Sequence, residues 1–78
     1  MAENWTELVR ISEEALKKDP DNVINYLNSA LGYYKSNNKE KALELLQKAE
    51  KMSENNLYLQ TMVRETYDRL GLSEYMQD

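Results

Sequence analysis

The sequence predicts an all-α fold, with four main helices joined by short loops into antiparallel helix-turn-helix repeats. Three observations predict it. Apolar residues recur with a 3.6-residue period in four separate segments. The breaks between those segments are built from Asn, Asp, Ser, Glu and Pro, and hold residues that end one helix and cap the next. Only two Gly and one Pro occur in 78 residues, with 31% charged and 41% hydrophobic side chains. That balance suits one soluble helical domain rather than a β-sandwich or a disordered chain.

The first helix is expected from about Trp5 to Lys18, with Asn4 as N-cap and Glu7 completing a capping-box pair. Trp5, Leu8, Val9, Ser12, Ala15 and Leu16 form its inward stripe. Asp19-Pro20-Asp21-Asn22 ends it, because the residue before proline avoids the helical region. The second helix, about Val23 to Lys35, is capped by Asp21 or Asn22. Gly32 lies inside it at a cost of about 1 kcal/mol relative to Ala, which points to a neighbouring helix passing close by. Asn37 tolerates the left-handed backbone that ends helices, and Asn38 caps the next.

The third helix is expected from about Lys39 to Met52. Ala42, Leu43, Leu46 and Ala49 face inward, and Lys39, Glu40, Lys41, Glu44, Lys48 and Lys51 form a solvated side. After Glu54-Asn55-Asn56 the fourth helix covers about Leu57 to Leu70, with Leu59, Met62, Val63, Thr66, Tyr67 and Leu70 on its apolar face. Gly71 stops it, and Ser73 begins what reads as a fifth. Loops this short force consecutive helices to pack antiparallel.

Composition excludes several functions. Without Cys or His, disulfides, thiol chemistry and the usual zinc sites are ruled out. A net charge of −4 argues against nonspecific binding to nucleic acid or to an anionic membrane. The segment MAENWTELVR lacks the basic and apolar regions of a secretory signal, and no apolar run reaches the roughly 18 residues that span a bilayer. A cytoplasmic chain without membrane insertion is therefore expected. Residues 1–22 carry six acids and three bases, 23–56 four and five, and 57–78 four and two. A mildly basic middle between acidic ends favours head-to-tail contacts.

Catalysis finds no support. Proton transfer near neutral pH needs a tuned acid or base, and nucleophilic catalysis needs an activated Ser, Cys or Lys beside one. The Ser residues lie at helix ends or on helix faces, outside any G-x-S-x-G turn. Glu13 and Glu14 are helix neighbours pointing apart, and Asp19 and Asp21 flank a proline where capping explains them. No catalytic residue, metal ligand or cofactor is expected.

The chain repeats itself at an offset of 34 residues. Asn4 matches Asn38, Ala15 matches Ala49, Lys17 matches Lys51, Asn22 matches Asn56 and Tyr33 matches Tyr67. Leu8/Ala42, Val9/Leu43 and Val23/Leu57 are conservative pairs. The matches fall at caps, small packing positions and the tyrosine. Within residues 23–56 the spacing is Tyr26-x2-Ser29-Ala30-x2-Tyr33, a turn at Ser36-Asn37-Asn38, then Ala42-x3-Leu46-x2-Ala49. This stretch resembles one complete tetratricopeptide repeat. Residues 4–22 resemble the second helix of a preceding repeat, and 57–78 the first helix of a following one, so that 1–78 is a single domain of half, whole and half repeats. Departures from the family pattern are Glu54, where Pro is favoured, and Gln60 and Arg64, where an aromatic and a small residue are expected.

The resemblance implies a binding or assembly surface rather than an active site. It implies an α-solenoid fragment whose first-type helices line a concave groove. Ile24, Leu27, Leu31 and Tyr34 then face a protein or peptide segment, with Asn28 and Lys35 fixing polar groups and Tyr58, Thr61, Glu65 and Asp68 continuing the groove. The same stripe is open to a second reading as ordinary core. Asn28 matches an asparagine that binds partner carboxylates in some family members. Ile24 stands where the accompanying base belongs, and an unpaired buried carboxylate is costly, so an apolar or aromatic segment is the better ligand. The half-repeat ends imply a further reading, homo-oligomerisation, head to tail as a ring or filament or as a closed swapped or isologous dimer, in which Met62, Val63, Tyr67 and Leu70 meet Trp5, Leu8, Ser12 and Ala15 of another copy. A piece of a longer array or an engineered repeat has the same ends. A core this small supplies roughly 3–5 kcal/mol, so such association would matter for stability.

Overall fold

The computed structural model describes residues 4–76. These form four α-helices and one 3₁₀ turn, with no strand among them: α1 Trp5–Lys18, α2 Val23–Lys35, α3 Lys39–Met52, α4 Leu57–Arg69 and η1 Ser73–Tyr75. The expected bounds are met for α1 to α3, and Leu70 becomes the C-cap of α4 rather than its last residue. The tail after Gly71 makes a single 3₁₀ turn instead of a fifth α-helix.

Each helix starts on an asparagine. The side-chain oxygens of Asn4, Asn22, Asn38 and Asn56 accept from the backbone N–H of Glu7, Ile24, Lys41 and Leu59, satisfying donors that the first turn leaves unpaired. Asn22, not Asp21, caps α2. Glu7 pairs with Arg10, which also reaches Glu14, a ladder along one side of α1.

The ends of α2 and α4 repeat each other too. Asn37 (φ 69°) and Gly71 (φ 72°) both take the left-handed backbone. One residue later, Asn38 N–H donates to Tyr33 O and Leu72 N–H to Tyr67 O, each at 2.8 Å. This is the same six-to-one closure 34 residues apart.

Helix α2 is the hub. It packs extensively on α1 and on α3, while α4 makes narrower contacts with α3 and α2 and carries the tail. The arrangement is that of a small helical repeat-like bundle. Its extents of 37 × 29 × 19 Å make a slab about two helices thick.

The core holds Val23, Tyr26, Leu27 and Ala30 of α2, Ala42, Leu45, Leu46 and Ala49 of α3, Val63 and Tyr67 of α4, and Leu70 and Leu72 beyond it. Leu43, expected inside, is half-buried, and Leu45 takes the deeper place. Leu45 lies about 200° around the helix from Leu43, so which of them is covered turns on where the neighbours lie.

Gly32 sets the α1–α2 spacing. A methyl group there would lie 2.6 Å from Val9 Cγ2 and 3.3 Å from the Val9 backbone nitrogen. Thr66 occupies the corresponding position on α4, and α4 sits less intimately on its neighbour than α2 does.

Candidate functional site

Two surfaces collect the residues singled out above. The first is the face shared by α2 and α4, two helices that run in the same direction and touch. The large exposed hydrophobics of the described residues are Ile11, Ile24, Leu57 and Tyr58, and the last three cluster at the starts of these two helices. Ile24 (40% exposed) and Tyr58 (71%) are equivalent at the 34-residue offset. Asn28, Lys35, Thr61, Glu65 and Asp68 are exposed, and Leu31 and Tyr34 are half-buried against the core. Thr61 Oγ1 donates to Leu57 O at 3.0 Å, which leaves its oxygen free to accept.

Leu27 stands apart from the rest of its stripe. At 6% exposure it belongs to the core, so the apolar stripe divides between the two readings: Leu27 holds the bundle together and Ile24 does not. Lys35 is partly engaged as well, its ammonium 5.7 Å from the Trp5 ring centre.

The second surface concerns the terminal helices. Ser12, Val63, Tyr67 and Leu70 are buried within the chain, at 5% exposure or less, and are not available to another copy. Trp5, Leu8, Ala15 and Met62 are half-buried. The tyrosines explain part of this. Tyr33 Oη donates to Glu13 Oε2 at 2.9 Å, and Tyr67 Oη donates to Glu50 Oε1 at 3.1 Å, so each reaches back to the preceding helix. Sequence reasoning took Tyr33 as a packing residue of the repeat and Tyr67 as part of a self-association face, and missed these hydroxyl contacts, since the acceptors are 20 and 17 residues away.

Burial, and secondarily the neighbouring carboxylates, raise the pKa of both phenols above the ordinary value near 10. The folded state therefore holds these protons more tightly than the unfolded chain. Their contribution to stability is intact below pH ~10 and is lost as pH rises beyond it, by about 1.4 kcal/mol per pH unit for each tyrosine ionising only on unfolding. Alkaline melts should show this fall, and Tyr67→Phe should flatten it. An unchanged slope would mean that other groups govern alkaline unfolding.

Between the second half of α3 and α4 lies an open cleft of about 690 Å³, lined by Lys48, Lys51, Gln60, Val63, Arg64 and Met76 among others. Periodicity does not reveal it, because charged and polar side chains share its walls with Val63 and Met76. Among the described residues no group of three or more Asp or Glu is placed to hold a metal ion. No helix of these residues is long and apolar enough to cross a membrane.

No family model, curated protein or solved structure matches the chain. The functional reading rests on its own residues and on the equivalences between its two halves.

Proposed function

We propose that this chain is a non-catalytic protein–protein interaction module, similar to a tetratricopeptide repeat, that holds an apolar or aromatic segment of a partner protein on the face of α2 and α4. The observation that carries this reading is the exposure of Ile24, Leu57 and Tyr58 on two adjacent, parallel helices. An exposed tyrosine and two aliphatic residues side by side form the kind of anchor around which binding energy concentrates. Asn28 and Thr61 beside them offer hydrogen bonds that orient a backbone without demanding a charge. The Asn37 and Gly71 closures support the repeat reading, because they recur at the same offset as the sequence matches; Tyr33 and Tyr67 share that offset and each reaches the preceding helix, through acceptors at non-equivalent positions.

A displayed random-peptide library panned on the purified chain tests this. Enriched sequences should carry aromatic or branched aliphatic residues, and Ile24→Glu combined with Tyr58→Glu should lose them by at least about tenfold, the equivalent of one anchor worth roughly 1.4 kcal/mol. Both side chains are exposed, so helicity should be retained. Enrichment that survives the double substitution would place the binding surface elsewhere.

A further inference from the structure

The 34-residue equivalence has a structural counterpart on the outer side of α4. Its cleft-lining residues Gln60, Val63 and Arg64 correspond to Tyr26, Ser29 and Ala30 of α2. Those three are buried, at 8%, 0% and 0% exposure, in a helix that α3 covers. The cleft is thus the place on α4 where α3 sits on α2. The complementary defect is on α1, whose sequence matches α3. Ile11, 52% exposed, corresponds to Leu45, 6% exposed. Helix α3 has neighbours on two sides, α2 and α4, whereas α1 packs chiefly on α2. Ile11 thus stands exposed on α1 at a position that is core on α3.

We infer that the α3–α4 cleft receives α1 of a second copy of this chain, with Ile11 entering beside Met76 and the aliphatic stem of Arg64. The inference rests on the repeat reading above. Charge selects the occupant. The cleft presents Lys48, Lys51 and Arg64 against Glu50 and Glu54, and Glu50 already accepts the Tyr67 hydroxyl. Ile11 is flanked one turn away on either side by Glu7 and Glu14, now bridged by Arg10. Arg64, standing where α2 has Ala30, would share those carboxylates with Arg10 across the contact, whereas an apolar partner would cover Arg64 without an anion. The contact joins different surfaces of the two copies, so it builds a ring or an open filament unless two copies exchange α1 reciprocally.

Light-scattering mass from about 10 µM to about 1 mM tests it, a range that reveals dissociation constants in the same interval. Mass should climb with concentration past the dimer, and less so at high salt. Ile11→Glu and Arg64→Glu, both at exposed positions, should each stay monomeric while retaining full helicity. Their equimolar mixture should form a dimer that grows no further, since one contributes an intact cleft and the other an intact α1. Arg64→Glu with Glu14→Arg should restore growth. A mass that stays at one chain throughout overturns the inference, as does assembly indifferent to both substitutions. Ile24 and Tyr58 lie outside this contact. Peptide capture that persists in a strictly monomeric chain would therefore remove this inference and leave the binding-module reading standing.

Discussion

Leu27→Glu should abolish the fold, while Ile24→Glu, three residues away on the same helix, should leave it intact. Leu27 is 6% exposed in the centre of the α2 packing surface. Removing its apolar burial costs about 2–5 kcal/mol, and placing an unpaired carboxylate there adds several more unless water enters. A core of this size supplies only roughly 3–5 kcal/mol, so the sum matches or exceeds it. Ile24 is 40% exposed, and a glutamate there keeps its hydration. Far-UV circular dichroism and thermal melts of the two variants decide the matter. If Leu27→Glu melts like the parent, α2 turns a different face to the bundle and the assignment of Ile24 to the surface fails with it.

Gly32→Val should detach α1 from the bundle. On helix propensity alone, replacing an interior glycine by valine gains a few tenths of a kcal/mol. Against that gain, even the first carbon of the new side chain meets Val9 Cγ2 at 2.6 Å and the Val9 nitrogen at 3.3 Å. Valine is stiff at χ1 and a helix backbone does not yield locally, so α1 must move as a body. Overpacking of this kind costs about 1–3 kcal/mol, here concentrated on one helix pair. Amide hydrogen exchange should rise along residues 5–18 before it rises in α3, and the Tyr33–Glu13 bond should be lost with it. Val9→Ala in the same chain should restore part of the stability, and the backbone contact at Val9 N should keep the recovery incomplete. Destabilisation without any loss of α1 protection would mean that the tight spot relaxes elsewhere.

Much of this molecule was legible because its signals are local. Four asparagines cap four helices through hydrogen bonds spanning two or three residues, so a capping residue before an amphipathic run locates a helix start. Asn37 and Gly71 mark two ends for the same kind of reason: a left-handed backbone selects them directly. The glycine in α2 announced a close neighbour, and Val9 is that neighbour.

The candidate surfaces were less legible. Ile24, Leu27 and Leu31 share one helical stripe, and hydropathy ranks them alike, yet one is core and another is surface. Ser12, a polar residue, is more deeply buried than Ile11 beside it. Which side of a helix is covered depends on where its neighbours stop, and that is set by packing between segments far apart in the chain. The α3–α4 cleft is the clearest case, since polar Gln60 and Arg64 line it together with buried Val63.

What the sequence determined by itself is therefore the all-α class, the four helices, their turns and the 34-residue repeat, all consequences of interactions within a few residues or of periodicity. Only the tertiary structure decided that Leu27 is core, that Ile24 and Tyr58 are exposed, that the tyrosine hydroxyls reach the preceding helix, and that a cleft opens beside α4. Those outcomes depend on distances between helices, and helix spacing is fixed by side-chain volumes on both partners at once, Gly32 against Val9 being the instance that shows it.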